Sequence, residues 1–388
     1  MEAIELIRLT ERGEDSRLQF KQDVTNAESL AGELAAFSNS KGGRIIIGVN
    51  DQGEVTGLSA GDVRRINQLL ANTATNLVRP SINPETENVS AGERLVMVVT
   101  VPEGISKPYA DNGGVFWVKC GSDKRRVTSR EEIQRMFQGA DIVHADAVPV
   151  GGATVADVDL GHFRTFFEKQ YGEPLNEGAL PLPQLLENLG LAKDGTLNLA
   201  GLLLFGSNPQ RYRPAFLVKA VSFVGNDPAG EKFRDSEDLG GCLKDIHTRT
   251  MSFILRNLHR IQGQKGFNTE GELEVPGSAL EELVVNMLLH RDYFISAPWR
   301  VMLFDNRIEL ISPGALPNNL TVENVKNGVS NMRNPLISSF ATKELPYRGI
   351  GTGIRRALAA IPSLVLESDH ELNNFTVRIP RQGTLLTS

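Results

Sequence analysis

The first part of the chain is organised around Gly42-Gly43-Arg44-Ile45-Ile46-Ile47-Gly48-Val49-Asn50-Asp51. The three consecutive isoleucines predict a buried β-strand, because β-branched side chains favour strands. A helix-like pattern from Ala27 to Ser38 runs into this stretch, and the paired glycines end it by supplying a positive φ or room for a close backbone approach. The turn Asn50-Asp51-Gln52-Gly53 predicts a hairpin after the strand. An ordinary helix-to-strand junction fits this stretch equally well, so the neighbouring motifs have to decide its role.

The composition is that of an ordinary soluble globular protein. The 388 residues are 40% hydrophobic and 23% charged, and such a length predicts about two or three domains. No apolar run reaches the roughly 18 residues of a membrane span and no signal peptide is visible, so we expect a cytoplasmic protein with no membrane partner. The only two cysteines, Cys120 and Cys242, have no CxxC spacing, which argues against a disulfide framework and a cysteine zinc site. The net charge of −6 gives no general attraction to nucleic acid, so binding requires a local basic patch.

The pattern of apolar residues predicts a mixed α/β (α+β) fold class. We expect an α/β domain over residues 1–140, a linker rich in Ala, Gly and Val over 141–152, a connecting α/β domain over 153–272 and a C-terminal α/β domain over 273–388. In the connecting domain, Asp238 to Gln262 predicts a long amphipathic helix. The chain has no GxxxxGK[ST] motif, and we therefore expect no helicase motor.

Four motifs near the N-terminus resemble, in the same order, those of the Schlafen AlbA-type domain. They are Gly13-Glu14-Asp15-Ser16-Arg17-Leu18-Gln19-Phe20-Lys21, Ala36-Phe37-Ser38-Asn39-Ser40-Lys41-Gly42-Gly43, Gly48-Val49-Asn50-Asp51 and Val118-Lys119-Cys120-Gly121-Ser122. Each motif alone is a weak signal, and their order makes the resemblance specific. The resemblance implies that residues 1–140 bind nucleic acid.

The resemblance also implies a set of catalytic positions, Glu14, Gln19 and Asp51. In nucleolytic Schlafen proteins, carboxylates at these positions hold a divalent metal ion against a phosphodiester. Metal-dependent hydrolysis needs several anionic oxygens, and the neutral amide of Gln19 supplies none. The site is therefore degenerate, with Asp51 as a metal-ligand candidate. Three alternatives stay open: solvated carboxylates of a cap and a turn, nucleic-acid binding without cleavage, and a metal-dependent ribonuclease that acts on tRNA-type substrates.

A run of basic residues follows the aromatic pair Phe116 and Trp117. Cationic side chains neutralise phosphates, and a neighbouring aromatic ring can stack on a base. The interleaved acidic residues Asp123, Glu131 and Glu132 make a solvated charged surface the alternative. The candidate nucleic-acid-binding residues are Lys21, Lys119, Lys124, Arg125, Arg126 and Arg130, with Arg135 close by.

The C-terminal domain resembles a divergent GHKL (gyrase, histidine kinase, MutL) nucleotide-binding domain, which implies a Bergerat-like α/β sandwich. The resemblance rests on Glu282-x-x-x-Asn286, His290-Arg291-Asp292-Tyr293, Asp305-Asn306-Arg307, Ser312-Pro313-Gly314, Arg333-Asn334-Pro335 and Gly349-Ile350-Gly351-Thr352-Gly353. It implies ATP with Mg²⁺ as the cofactor. The implied ATPase base is Glu282, the magnesium ligand is Asn286, and the cofactor-binding residues are Asn286, Gly314, Gly349, Gly351 and Gly353. A glycine loop before a helix suits phosphates because it presents backbone N–H groups.

Ser312 departs from the GHKL pattern. It stands where GHKL enzymes carry the Asp that hydrogen-bonds the adenine amino group. A retained fold with a vestigial pocket is therefore the alternative to ATP binding. Of these three outcomes, efficient hydrolysis of ATP is the least expected.

The two resemblances together are typical of bacterial ATP-binding regulators, some of them helicase-related. We expect a nucleic-acid-binding transcriptional regulator whose partner is DNA or RNA and whose C-terminal domain binds ATP or serves as a structural platform. The alternatives are the metal-dependent ribonuclease and an assembly or scaffold protein with vestigial sites. A homo-oligomer is compatible with each of these functions.

Overall fold

The computed structural model describes residues 3–140, 142–176, 178, 180–261, 271–317 and 320–381. The chain divides into two compact units, Met1–Val143 and His144–Ser388. Each unit mixes helices with several sheets, which confirms the predicted α/β class.

The first unit is built on a four-stranded sheet. Its helices are α1 (Ala3–Arg12), α2 (Ala27–Asn39), α3 (Ala60–Asn72) and α4 (Arg130–Gly139), and a π-helical turn covers Thr73–Leu77. Its strands are β1 (Leu18–Lys21), β2 (Gly43–Ile47), β3 (Val78–Arg79), β4 (Glu85–Ala91), β5 (Arg94–Val101), β6 (Ala110–Asp111), β7 (Trp117–Cys120) and β8 (Asp123–Arg126). The sheet has the order β1-β2-β5-β4, with β1 and β2 parallel and the other pairs antiparallel. The strands β7 and β8 form a separate hairpin.

The central isoleucines are buried on both faces of this sheet, as predicted. Ile45 and Ile47 pack into a cluster with Leu34 and Phe37 of α2. Ile46 points to the opposite face and packs against Phe20. Because a strand alternates its side chains, an uninterrupted apolar run requires a core on each side of the sheet.

The paired glycines have two different roles. Gly42 has a φ of +66°, a conformation that favours glycine. At Gly43, an added Cβ would stand 2.5 Å from Phe37 Cε1 and 2.5 Å from the carbonyl oxygen of Arg17.

The hairpin turn is present, since Val49 bridges to Val55. The main ladder partners of β2 are nevertheless β1 and β5.

The second unit contains the remaining elements. Its helices are α5 (Leu160–Tyr171), α6 (Leu182–Asn188), α7 (Leu199–Phe205), α8 (Leu243–Arg256), α9 (Gly277–Leu289), α10 (Val322–Lys326), α11 (Pro335–Glu344) and α12 (Gly353–Ala360), and short 3-10 turns cover Ala145–Ala147, Val155–Asp157 and Pro209–Arg211. Its strands are β9 (Pro149–Thr154), β10 (Ala192–Lys193), β11 (Thr196–Asn198), β12 (Val218–Phe223), β13 (Phe233–Leu239), β14 (Arg260–Ile261), β15 (Glu272–Leu273), β16 (Trp299–Leu303), β17 (Arg307–Pro313), β18 (Val365–Asp369) and β19 (Asn374–Pro380).

A six-stranded sheet of order β13-β12-β16-β17-β19-β18 spans the second unit. The strand β12 pairs in parallel with β16, so residues of 153–272 and of 273–388 share one sheet. They also share one core, in which Phe205 and Trp299 belong to the same buried cluster. The predicted domain boundary between residues 272 and 273 stays a prediction. The six-stranded sheet contains strands from both sides of it.

Two local expectations differ from the structure. The predicted helix from Asp238 begins instead at Leu243, because Asp238 lies in the edge strand β13; the predicted end at Gln262 lies outside the described residues. In the predicted 141–152 linker, Ala145 and Val150 are buried in the core of the second unit. Apolar side chains of this segment are thus part of a folded layer.

Candidate nucleic-acid and nucleotide sites

A buried network of charged side chains surrounds Gln19 in the first unit. The Gln19 side chain lies on β1 and only 5% of the residue is exposed. Its Nε2 donates to Glu33 Oε1 at 3.4 Å, and its Oε1 accepts a hydrogen bond from Lys119 Nζ at 3.2 Å. Glu33 also pairs with Lys124 Nζ at 3.2 Å and lies 4.0 Å from Lys119 Nζ. The predicted catalytic position is therefore filled by an internal ion-pair network.

The Lys119 ammonium is the buried cation of this network, with a side chain only 1% exposed. Burial lowers the pKa of Lys119, while the charges of Glu33 and Glu14 act in the opposite direction. A buried lysine needs carboxylates nearby to remain charged. Glu33 is therefore a structural partner of Lys119 that sequence analysis missed. The available signal was its place among the apolar residues Leu30, Ala31, Leu34 and Ala35 of α2.

The three predicted catalytic residues are not brought together by direct contacts. Glu14 is exposed, and its carboxylate accepts the backbone N–H of Phe20 at 2.7 Å. Asp51 is exposed in the turn after β2. Among the described residues, no hydrogen bond or ion pair joins Glu14, Gln19 and Asp51, and no group of three or more His, Cys, Asp or Glu side chains could hold a metal ion.

The predicted basic residues divide into an inward and an outward set. Lys119 and Lys124 point inward to Glu33, and Lys124 Nζ also donates to the carbonyl oxygen of Ser29 at 2.7 Å. The outward set, which we call the arginine edge, consists of Arg125 and Arg126 at the end of β8 and Arg130 at the start of α4; each is exposed. Lys21 is half-buried at the end of β1.

Two residues of this region already have partners. Arg125 forms an ion pair with Glu132. The centroid of the Trp117 ring lies 5.3 Å from Lys124 Nζ and 5.1 Å from the Arg126 guanidinium. Its indole N–H donates to Asp111 Oδ2 at 2.7 Å. Trp117 thus contacts one residue of the arginine edge, Arg126.

The predicted nucleotide residues of the second unit do converge. They line one cleft of the second unit. The polar lining includes Glu282, Asn286, Ser312, Gly314, Gly349, Gly351 and Gly353, and the apolar lining includes Leu283, Met287, Leu310, Phe375 and Val377. An apolar wall with a few polar groups is typical of a small-molecule site.

The glycine loop at the mouth of this cleft leads into α12. Gly349 and Gly351 both have a φ of +69°. The backbone N–H groups of Gly349, Ile350 and Gly351 donate to no acceptor among the described residues. Unpaired N–H groups before a helix favour an anion such as a phosphate.

Glu282 and Asn286 are held against this loop. An added Cβ at Gly353 would stand 1.7 Å from Glu282 Oε1, so only glycine leaves room for that carboxylate. Glu282 pairs with Arg356 of α12, and Asn286 Nδ2 donates to Glu282 Oε1 at 3.2 Å. In this arrangement Glu282 is neutralised by arginine. The Asn286 Oδ1 accepts no hydrogen bond within the described residues and is therefore free to bind a cation.

Further polar groups line the deep part of the cleft. The Ser312 hydroxyl donates to the carbonyl oxygen of Met287 at 3.1 Å. Arg333 Nε is buried with no acceptor among the described residues, and burial lowers the pKa of Arg333. Burial also lowers the pKa of His290 to about 4, so this imidazole is neutral at neutral pH. His290, the first residue of the His290-Arg291-Asp292-Tyr293 motif, lies in the cleft lining.

Two family models match separate parts of the chain. Residues 14–128 match the family described as "Schlafen, AlbA_2", and residues 297–378 match the family described as "Putative ATP-dependent DNA helicase recG C-terminal". The chain thus carries a Schlafen AlbA_2 domain toward its N-terminus and a RecG-type C-terminal domain, which confirms the resemblances seen in the motifs. No curated protein sequence matches the chain significantly.

Two solved structures are similar to parts or most of the chain. The DIP2311 protein from Corynebacterium diphtheriae shares 19% sequence identity and has a TM-score of 0.46, with 99% of this chain and 81% of that chain covered. The N-terminal domain of a RecG-related protein from Nitrosomonas europaea shares 23% identity and has a TM-score of 0.24, with 34% of this chain and 96% of that chain covered.

The two matched domains indicate a protein that binds nucleic acid and has an ATPase-type domain. In the described part of the chain, no helix is long and apolar enough to cross a membrane.

Proposed function

We propose that this chain is a nucleic-acid-binding regulator that contacts phosphates through the arginine edge of its Schlafen AlbA_2 domain. The observation that carries the proposal is the exposure of Arg125, Arg126 and Arg130 at neighbouring positions of this domain. Exposed guanidinium groups neutralise phosphates and release counterions. The net charge of the whole chain is −6, so this local cluster has to supply the attraction.

Binding without cleavage is favoured over the ribonuclease alternative by the network around Gln19. A divalent ion at a phosphodiester needs carboxylates that are free to bind it. Glu33 is already neutralised by Lys119 and Lys124, and Gln19 is a neutral amide. Lys119 and Lys124 are therefore the counter-charges of the Glu33 carboxylate.

A salt titration tests this proposal. Labelled duplex DNA and tRNA are titrated with the native protein and with Arg126→Ala/Arg130→Ala at several salt concentrations. Each lost phosphate contact should reduce the salt slope by about one and weaken binding across sequences. Comparison of the two ligands also distinguishes DNA from RNA.

The matched control is Arg12→Ala/Arg64→Ala, which removes two exposed arginines of the same unit from helices α1 and α3. This control changes the net charge by the same amount as Arg126→Ala/Arg130→Ala. We expect near-native affinity for it. Equal weakening by both double variants would indicate a general charge effect, and no binding by the native protein would favour the scaffold alternative.

We further propose that the cleft of the second unit binds ATP with Mg²⁺, which would make nucleic-acid binding responsive to nucleotide. The observation that favours this second function is the convergence of all five predicted glycine and asparagine contacts in one cleft. The unpaired N–H groups of Gly349 and Gly351 would hold phosphate oxygens, and Asn286 Oδ1 would bind the magnesium ion. Magnesium would neutralise the phosphate charge. The pairing of Glu282 with Arg356 favours binding over rapid hydrolysis.

Calorimetry with magnesium-ATP tests the cleft directly. Asn286→Ala should weaken binding mainly in the presence of magnesium, and Gly351→Val should weaken it with or without magnesium because its side chain blocks the loop. Thermal unfolding checks that both variants are folded. No heat of binding at millimolar nucleotide would show that the cleft is vestigial. A regulator should also change its affinity for DNA or RNA when magnesium-ATP is added.

A further inference from the structure

A cysteine, a histidine and a glutamate from three separate helices meet in the second unit. His162 of α5 stands between Cys242, the N-cap residue of α8, and Glu344 at the end of α11. His162 Nδ1 lies 3.9 Å from Cys242 Sγ, and His162 Nε2 hydrogen-bonds to Glu344 Oε2. The side chains of His162 and Glu344 are only 13% and 4% exposed. None of the three lines the nucleotide cleft.

The imidazole of His162 is held rigidly. Its backbone N–H donates to the N-cap residue Asp159 at 2.9 Å, which fixes the first turn of α5. Its ring packs at 5.4 Å from the ring of Phe205, which is fully buried. With Glu344 on one nitrogen, the other nitrogen is directed at the sulfur. A nucleophile, a base and an orienting acid in this order are the arrangement that activates a side-chain nucleophile.

Two features beside the sulfur are of the kind that activate a cysteine. Hydrogen bonds to Cys242 and Glu344 raise the pKa of His162 to about 9, so the imidazolium is present at neutral pH. Cys242 is also the N-cap residue of the 14-residue helix α8. A cationic neighbour and a helix N-terminus both stabilise a thiolate.

One group acts against the thiolate. Asp245 Oδ2 lies 3.3 Å from Cys242 Sγ and accepts the hydrogen of the protonated thiol. The same oxygen accepts the backbone N–H of Cys242 at 3.3 Å. The Asp245 carboxylate should therefore slow thiolate chemistry, and its removal should speed that chemistry.

A surface pocket adjoins Cys242. Only 5% of Cys242 is exposed, so the residue offers little surface to a large reagent. The pocket is lined by Asp159, Gly161, His162, Thr165, Gly206, Ser207, Cys242, Lys244 and Asp245. The titratable groups in contact with the sulfur are His162 and Asp245. Asp159 and Lys244 also line the pocket, and Glu344 lies behind His162.

We propose that Cys242, His162 and Glu344 form a nucleophilic thiol site that exchanges with small, low-molecular-weight disulfides. The Cys242 thiolate attacks one sulfur of the disulfide, a new S–S bond forms, and the original S–S bond breaks. Cys242 is oxidised to a mixed disulfide, and the other half of the reagent is reduced. It leaves as a thiolate and takes up the proton that Cys242 lost. This site is independent of the proposed nucleic-acid and nucleotide functions.

Cys120 provides an internal comparison, because it is the other cysteine of the chain and is exposed. The full chain is prepared as Cys120→Ala, which leaves Cys242, and as Cys242→Ala, which leaves Cys120. Each is mixed with hydroxyethyl disulfide at neutral pH, and intact mass follows the mixed disulfide. If solvent exposure alone determined the rate, Cys120 would react faster than Cys242. We expect Cys242 to react about tenfold faster, as an activated thiol does.

Variants in the Cys120→Ala background test the role of the neighbours. His162→Gln should slow the reaction of Cys242 about tenfold, whereas Asp245→Asn should speed it about threefold. The rate should be nearly level across neutral pH in the parent and should rise steadily with pH in His162→Gln. Thermal unfolding establishes that each variant is folded.

The two variants therefore move the rate in opposite directions. Cys242 reacting more slowly than Cys120 would overturn the proposal, and so would an unchanged rate in a folded His162→Gln variant. If His162→Gln does not fold, Asp245→Asn decides, since a slower reaction there contradicts a thiolate mechanism.

Discussion

The Lys119 ammonium donates a hydrogen bond to the side-chain oxygen of Gln19 at 3.2 Å. This contact links β7 to β1 across 100 residues of sequence. Together with Glu33 and Lys124, it forms a network of one amide, one carboxylate and two ammonium groups in the Schlafen AlbA_2 domain. Gln19, at the position where the resemblance implies a metal-binding carboxylate in a nuclease, therefore hydrogen-bonds to a buried pair of opposite charges.

The first prediction concerns cleavage of nucleic acid. We expect the native protein to show no manganese-dependent cleavage of tRNA or single-stranded DNA, because Lys119 and the neutral Gln19 leave too few free anionic oxygens for the ion. Gel electrophoresis of labelled substrates provides the measurement. Clear cleavage that is lost in Glu14→Ala or Asp51→Ala would restore the ribonuclease interpretation. Gln19→Glu tests whether one added carboxylate is sufficient for activity.

The second prediction concerns the stability of the first unit. Glu33→Ala leaves the buried Lys119 ammonium without its main counter-charge, and we expect a loss of about 3 kcal/mol in the free energy of unfolding. Urea unfolding at neutral pH measures this loss. Glu132→Ala is the control, because the exposed Arg125–Glu132 pair should contribute less than about 1 kcal/mol. Similar losses in both variants would contradict a structural role for the Glu33 network.

The third prediction concerns the glycine that begins α12. Gly353→Ala places a Cβ where it would stand 1.7 Å from Glu282 Oε1, so the helix terminus or the carboxylate has to move. We expect reduced stability and, if the cleft binds ATP, at least about tenfold weaker binding, which corresponds to about 1.4 kcal/mol. Calorimetry and thermal unfolding measure both effects.

Gly61→Ala is the matched control for this substitution. Gly61 lies in the first turn of α3, and the nearest atom to an added Cβ is Ser59 Oγ at 3.5 Å. Alanine is the better helix former, so we expect a gain of about 0.5 kcal/mol in stability and no change in nucleotide affinity. A neutral Gly353→Ala variant would mean that Glu282 has another position available.

The fourth prediction concerns pH. The pKa of His162 is raised from 6.5 to about 9 by its hydrogen bonds to Cys242 and Glu344. Its contribution to stability is therefore fully present below about pH 6.5 and is lost as the pH rises through about 9, with a size of up to about 3 kcal/mol. Urea unfolding as a function of pH should show this loss in the native protein and a smaller one in His162→Gln. An identical pH dependence in both proteins would contradict it.

Sequence patterns predicted the central strand of the first unit and the helix before it but missed the charge network. The buried strand with Ile46 and the glycines before it follow from local rules, since β-branched runs and tight turns need few distant partners. The ion pair between Glu33 and Lys119 joins residues that are 86 positions apart in sequence. No local pattern around either residue indicates a buried pair. Lys119 and Lys124 therefore looked like surface cations until their partners were known.

In the second unit, the motifs predicted a shared site better than they predicted the contacts within it. The residues of Glu282-x-x-x-Asn286 and of the glycine loop line one cleft, which the resemblance implied. The pairing of Glu282 with Arg356 required the relative position of α9 and α12, which no spacing in the sequence contains. The predicted helix from Asp238 overlaps the end of the polar strand β13, because Asp238 and its acidic neighbours lack the apolar alternation of a buried strand.

The parallel pairing of β12 with β16 has a consequence for how this protein could be inherited and rearranged. Five residue pairs, from Val218 with Trp299 to Ser222 with Leu303, connect the two strands. A gene fusion with its breakpoint near residue 272 would deliver β16 with a bare, apolar edge, and such edges promote aggregation. Recombination at that point should be disfavoured. The stretch that codes for β12 and β13 is therefore expected to travel with the RecG-type segment in any viable domain shuffle.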